Sequence, residues 1–394
     1  MKLLLLPRKG CDFLQNGISI YPGLDNTPEE NLALIETAAA AGITRVFTSL
    51  HIPESDTRAL KKEIGTLLGA ARAHHMEVIS DVSPKTLEIL GLKEFRPSAF
   101  RMLGITTIRL DYGFPPEEIA RISHNSQKLR IQLNASTITR ELLRKLDACK
   151  TDFSRIDALH NFYPRIGTGL SEMTLIKHNA MLHQLGIHVG AFVTTQAGRR
   201  RGPLGEGLPT LESHRTMTPS QAARHLVALG TDSVFLADSL PTTEEVQSLG
   251  RLRDDCVTLR AELLTDDDLS RQLLSHVFTS RIDAARDAIR AQESRSLVTN
   301  VRATIAPEHA DDRPRGVITI DNTEAGRYMG ELEIVKRHLP ADPRVNVCAR
   351  IDRADFPLIN CISPGRRFSF ELHSARAMKD DIMEGSNPRE ERTK

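Results

Sequence analysis

Eight short β-rich runs, each followed by a helical pattern, set the strongest limit on how this chain can fold: GISIY (17–21), ITRVFTSL (43–50), MEVISDV (76–82), ITTIRLDYG (105–113), LRIQLNAS (129–136), FSRIDALH (153–160), GIHVGAFV (186–193) and TDSVFLADS (231–239). Strand-then-helix units at intervals of about 25–45 residues predict parallel strands with right-handed crossovers. Eight of them favour an α/β chain closed into a TIM (β/α)8-like barrel over an open doubly wound sheet. The punctuation agrees. Thr27-Pro28-Glu29-Glu30 is a helix start, and Ala41-Gly42, Leu103-Gly104, Leu185-Gly186 and Leu229-Gly230 put a C-cap glycine just before an inner strand.

After residue 250 the grammar changes. CVTLRAELL, RGVITIDN, GRYMGELEIVK, RVNVCARI and RFSFELH read as strands without helical crossovers, whereas DLSRQLLSHVF and SRIDAARDAIRAQESR carry polar and helical patterns. At 394 residues the chain exceeds the usual single core, so two domains are expected. The expected division is an N-terminal extension over 1–15, a barrel domain over 16–252, a β-rich domain over 253–374, and a charged, disordered tail over 375–394.

Lys plus Arg (52) and Asp plus Glu (51) nearly cancel, giving a net charge of +1, so nothing favours nucleic acid or an anionic membrane as partner. The absence of Trp argues against a long polysaccharide cleft built on stacking platforms. Five scattered cysteines without short paired spacing read as reduced cytosolic thiols. The start MKLLLLPRKGC has only four leucines in its apolar run, short of the roughly seven residues of a signal peptide core, which points to a cytoplasmic protein. No stretch approaches the about 18 apolar residues of a membrane span. No H-E-x-x-H, Walker loop, G-x-G-x-x-G after a strand or G-x-S-x-G occurs, so neither a metal nor a cofactor is expected.

Catalytic groups of such a barrel project from the carboxyl ends of its strands. There the chain places His51 and Glu54, Asp81, Asp111 and Tyr112, Asn134, His160 and Asn161, and Asp238. Each Asp or Asn taken singly is also an ordinary turn residue; together they read as a polar pocket. The long loop TTQAGRRRGPLGEGLPTLESHR (194–215) adds three arginines, Glu206 and Glu212. Two of the three arginines read as a solvated face, and Arg201, ahead of Gly202-Pro203, as an anion binder. HNFYPRIGTGLS (160–171) offers an amide in Asn161, a ring in Tyr163 and a planar cation in Arg165. Its Gly167-Thr168-Gly169 is expected to aim backbone N–H groups at an anion ahead of a helix starting near Ser171-Glu172. What remains is carboxylate acid–base chemistry on a small, anionic, hydroxylated substrate.

HIPE, LNAST, HNFYPRIGTGLS, RGPLGEGLPTLESHR and ITIDN…GRYMGELEI, in this order over most of residues 16–373, resemble the 6-phospho-N-acetylmuramidase family. The resemblance implies a TIM-like barrel followed by a smaller cyclophilin-like β-barrel. It implies cytoplasmic hydrolysis of the β-1,4 bond of N-acetylmuramic acid 6-phosphate–N-acetylglucosamine in cell-wall recycling. A phosphate and a lactyl carboxylate on one sugar ask for two anion sites, which Arg165, Arg201 and Arg327 of the second domain would provide. Asp321 and Asn322 fall in the matching blocks as further binding residues.

Glycoside hydrolysis uses two carboxylates, and retaining, inverting and acetamido-assisted routes all stay open. Position at the rim puts forward Asp111 and Glu206 as the pair, with Asp81, Glu54 and Asp238 in reserve. Val317 stands where the family usually has an acidic residue, which puts a ligand role of that strand in doubt. A phosphosugar isomerase or aldolase, and a surface-displayed binding protein, are the competing readings. No strand ends in the Lys that a Schiff-base aldolase needs.

Overall fold

The computed structural model describes residues 14–49, 57–82, 86–87, 95–110, 113–252, 256–301 and 303–374. The chain forms two compact units, Met1–Asp254 and Asp255–Lys394. In the first, strands β1 (Gly17–Ile20), β2 (Arg45–Ser49), β3 (Glu77–Val82), β4 (Thr107–Leu110), β5 (Arg130–Asn134), β6 (Ile156–Leu159), β7 (Val189–Val193) and β8 (Ser233–Leu236) close into a barrel in chain order. Every pairing is parallel, including β1 with β8. The closed α/β barrel read from the eight repeats is therefore what the chain builds.

Local chemistry explains the helical boundaries. Thr27, Thr218 and Thr242 each close a reciprocal capping box, with Glu30, Gln221 and Glu245 reaching back to the cap N–H. Gly42 and Gly230 take positive φ values (78° and 90°) just past their helices, where a side chain would strain the backbone.

Alternation along the strands sorts the barrel interior into layers. At the amino end lie Arg45, Glu77 and Asp157, with Arg45 Nε 2.7 Å from Glu77 and its Nη2 on Asp157. Two residues further along come Phe47, Ile79 and Leu159, which join Phe192 and Phe235 in one buried apolar cluster. The next step brings Asp81 and Asn161 to the carboxyl mouth, beside Arg109 of β4. Gly17 and Gly190 make room in the middle, because a Cβ on Gly17 would run into the Phe235 ring and one on Gly190 into the Leu159 and Ser233 side chains.

In the second unit, β9 (Cys256–Leu263), β10 (Phe278–Thr279), β11 (Ala288–Arg290), β12 (Val317–Asp321), β13 (Leu332–Val335), β14 (Val345–Ile351) and β15 (Arg367–His373) form a curled mixed sheet, a half-barrel. Its order is β10-β15-β9-β14-β12-β13-β11, with only β9 and β15 parallel. The sheet curls until Arg281 and Gln292, just past its two edge strands, donate backbone hydrogen bonds to Arg290 and Thr279 (3.0 and 2.8 Å).

Here the helical reading of SRIDAARDAIRAQESR is overturned. Its centre is strand β11, whose Ala288, Ile289 and Arg290 pair with Val335, Ile334 and Glu333, and helix begins only at Ser294. Arg281 and Arg290 both pair with Asp283, tying the preceding turn; tertiary pairing outweighs the helix propensity of Ala and Arg. Val317 packs with Val335 and Val347 in the sheet's apolar cluster, so that position is core.

Adding one methyl inside the barrel should be felt at once. Gly17→Ala is expected to destabilise the first unit by about 1–3 kcal/mol through overpacking against Phe235, read as a lower denaturant midpoint with unchanged m-value.

Candidate active site

The mouth of the barrel holds a cavity of about 180 Å³ lined by Phe47, Asp81, Arg109, Asn161, Phe162 and Phe192. Register creates its polar floor: Asp81 of β3 stands opposite Arg109 of β4, and the Arg109 guanidinium bridges Asp81 Oδ1 (2.9 Å) and Asn161 Oδ1 (2.5 Å). Arg109 is 4 % exposed and Asp81 9 %, so this ion pair sits largely out of water with its geometry fixed by two strands. Arg109 was not singled out from the sequence. Its signal is a lone charge in an otherwise uncharged buried strand, TIRL.

Above the floor, the Arg201 guanidinium lies 4.9 Å from the centres of both the Tyr21 and Phe162 rings. Its Nε is buried without a hydrogen-bond partner among the described residues, while its backbone N–H donates to Asp238 Oδ1 (3.1 Å). Burial, against the opposing charge of Arg201, pushes Tyr21 up to about 12, and its hydroxyl donates to the Ala237 carbonyl (2.7 Å). Asp238, 1 % exposed, also accepts from Thr194 Oγ1 and from the Thr195 N–H (3.0 Å). Burial raises its pKa, and Thr194, Thr195 and Arg201, which donate to it, all belong to the 194–201 segment, so Asp238 anchors the loop that carries Arg201.

The other two arginines of the triplet are tethers and not a solvated face. Arg199 makes two 2.8 Å bonds to the Glu30 carboxylate and a 3.0 Å bond to Asn26. Arg200 donates to the Thr195 carbonyl (3.1 Å) and to Gln196 Oε1 (2.9 Å).

The Gly-Thr-Gly turn also departs from expectation. Its amides meet an anion, but the anion is the protein's own: Gly167 and Gly169 N–H donate to Glu212 (2.9 and 2.7 Å), and Ile166 N–H to Glu206 (3.0 Å). Arg215 holds Glu212 at 2.8 Å through two nitrogens and also donates to the carbonyls of Tyr163, Arg165, Glu206 and Gly207. The Arg215 hydrogen bond, with those amides, brings Glu212 down to about 2 despite its partial burial. The 163–169 and 206–215 loops are thereby clamped together, and the turn has no amide left for a ligand.

His160, expected to touch substrate, is fully buried. Its Nδ1 meets Ser136 Oγ (3.1 Å) and its Nε2 Asn179 Oδ1 (3.0 Å), and burial lowers its pKa to about 4. Asn134 accepts the Ser136 N–H (3.1 Å) and borders a smaller apolar cavity of about 100 Å³ with Leu110 and Phe114. Arg165 has an exposed side chain and Tyr163 a half-buried one. Asp111 and Glu54, with His51, lie outside the described residues.

In the second unit Asn322 is fully buried: its amide donates to the Pro343 carbonyl and Asn346 Oδ1 (2.8 Å each), and its oxygen accepts the Glu324 N–H (3.0 Å). It holds the fold and has nothing left for a ligand. Asp321 is pushed up to about 7, first by burial and then by Glu333, Glu331 and Asp342. Arg327 stacks on the exposed Tyr328 (4.9 Å) and donates to its hydroxyl (2.7 Å). Among the described residues no group of three or more His, Cys, Asp or Glu could hold a metal, and no helix is long and apolar enough to cross a membrane.

A closed barrel with a charged mouth, followed by a curled sheet, is matched along nearly its whole length by two parts of one family: residues 16–251 by 6-phospho-N-acetylmuramidase, N-terminal, and residues 257–371 by 6-phospho-N-acetylmuramidase, C-terminal. The chain belongs to the 6-phospho-N-acetylmuramidase family. It is thus a glycosidase by family. Among solved structures it is similar to an uncharacterized B. cereus protein, with 28% identity, 91% of this chain and 100% of that one covered, and a TM-score of 0.80. It is also similar to a conserved protein of unknown function from Enterococcus faecalis, with 34% identity, 95% and 100% coverage, and a TM-score of 0.65. No curated protein matches it.

Two measurements check this geometry. Glu212→Ala should speed amide exchange at residues 166–169 by about tenfold or more, since it removes the acceptor of two of these amides and the counter-charge of Arg215. The second concerns pH. His160 is held at about 4 and His214, also buried, at about 3, against an ordinary value near 6.5. The unfolded chain takes up protons that the fold refuses, so this stability is complete above pH 6.5 and falls as pH drops toward 4. The loss is about 2 kcal/mol per ring at pH 5. Denaturant unfolding at pH 8 and pH 5 should show this slope for the wild type relative to a His160→Gln/His214→Gln variant.

Proposed function

We propose that this glycosidase hydrolyses the β-1,4 bond of N-acetylmuramic acid 6-phosphate–N-acetylglucosamine, as a cytoplasmic step of cell-wall recycling. The observation that carries the proposal is the Asp81–Arg109–Asn161 floor beneath Arg201, at the catalytic mouth of a barrel in this family. Asp81, ion-paired and bordering the cavity, takes the charged role in a two-carboxylate mechanism: it stabilises the oxocarbenium-like transition state or activates the attacking group. The acid that protonates the leaving oxygen comes from the rim, where Asp111 and Glu206 are the candidates. Glu206 keeps one oxygen on the Ile166 amide, which fixes it in place.

Arg201 and Arg165 receive the two anionic groups of the muramoyl sugar. Arg201 suits this work because its planar fork is held between two rings with a buried nitrogen that has no partner among the described residues. A cavity of about 180 Å³ is smaller than the roughly 300–1,000 Å³ of a full ligand cleft, so it seats one end of the disaccharide.

Incubation with the phosphorylated disaccharide should release N-acetylglucosamine. Asp81→Asn should lower kcat by about 10²-fold or more, as should whichever of Asp111→Asn and Glu206→Gln removes the acid. Arg201→Lys should raise KM with a smaller effect on kcat. Equal kcat/KM on the unphosphorylated disaccharide would overturn the substrate assignment, and full activity of Asp81→Asn the mechanism.

A further inference from the structure

A line of hydrogen bonds runs from the outer helix Glu172–His183 to the floor of the cavity, and the hydrolysis as described makes no use of it. On that helix Asn179 is buried, its amide nitrogen turned to Thr231 Oγ1 (3.4 Å) and its oxygen to His160 Nε2 (3.0 Å). An oxygen there requires the single proton of neutral His160 to sit on Nε2. Nδ1 is then an acceptor, and the hydroxyl of Ser136 donates to it (3.1 Å).

The Ser136 oxygen in turn accepts the backbone N–H of Asn161 (2.9 Å), while Thr210 Oγ1 donates to the Asn161 carbonyl (2.9 Å). Asn161 is thus clamped on both sides of its backbone. Arg109 can only donate, so the Asn161 side-chain oxygen is committed to it and the amide NH2 is left at the cavity wall. The chain therefore sets which end of the Asn161 amide faces Arg109.

We propose that Ser136 and His160 are positioning residues for the hydrolysis. Through Asn161 they fix the Arg109 guanidinium against Asp81 and present an N–H donor to an oxygen of the bound sugar. Neither residue touches the reacting atoms. The inference rests on the role given above to Asp81. Its physical basis is that displacing a catalytic group by about 1 Å can cost up to 10²-fold in rate while leaving most binding contacts intact.

Ser136 is the position to test, because it is partly exposed and its alanine variant removes one hydroxyl without opening the core. Ser136→Ala should lower kcat on the phosphorylated disaccharide about tenfold with KM within about twofold. Ser136→Thr, which keeps the hydroxyl, should return kcat to within about threefold of wild type. Independently of turnover, the 15N shifts of His160 should show the Nε2–H tautomer in the wild type. A wild-type kcat for Ser136→Ala, a threonine variant as slow as the alanine one, or an Nδ1–H tautomer would each overturn the proposal. Assaying Asp81→Asn in parallel separates the two levels: an active Asp81→Asn removes the mechanistic reading and this inference with it, whereas an inactive Asp81→Asn beside a fully active Ser136→Ala removes this inference alone.

Discussion

A closed ring of eight parallel strands leaves little freedom over which side chains share its interior. Side chains alternate with a period of two, and the pairing register locks each strand to its neighbours, so one set of residues per strand must stack inward in layers. In this chain the layers run from a charged floor of Arg45, Glu77 and Asp157, through the phenylalanines, to the mouth where Asp81 meets Arg109. Charge at both ends with apolar rings between keeps each buried ion pair separate. The mouth pair is then available to chemistry while the floor pair holds strands together.

The loops above the mouth show how a chain manages its own charge. Glu212, Glu206, Asp238 and Asp25 each accept backbone N–H groups from loop residues, as a bound anion would. Such charge-assisted bonds order long irregular segments that have no sheet ladder to rely on. They also sort the cations. Arg199, Arg200 and Arg215 are tied to partners within the protein, and Arg201 is left between two aromatic faces above the cavity. A guanidinium fixed by stacking keeps its hydrogen-bonding edges for another group.

Much of this was legible beforehand. The eight repeats, their capping threonines and C-cap glycines follow from short-range rules, and the carboxyl rim follows from the repeats; rim position points to Asp81 and Asn161, and the Arg run ahead of Gly202-Pro203 to Arg201. Strand-end position also points to His160, and the family-like block to Asn322, because a polar residue looks the same in sequence whether it faces a cavity or the protein; both are buried with every side-chain polar atom engaged. The Gly-Thr-Gly turn had the composition of an anion site and became one for Glu212, more than forty residues along the chain.

The sequence alone determined the number of barrel strands, their parallel direction, the change to a β-rich second unit and which barrel strand ends carry polar groups, because these rest on periodicity and on residues within a few positions of one another. Only the tertiary structure decided which polar groups satisfy each other: that Arg109 takes Asp81 and Asn161, that Glu212 fills the glycine turn, and that β11 is a strand despite its helical composition. Partner choice among polar groups is a matter of distance and geometry after closure, and many donors and acceptors along one chain have the same local chemistry.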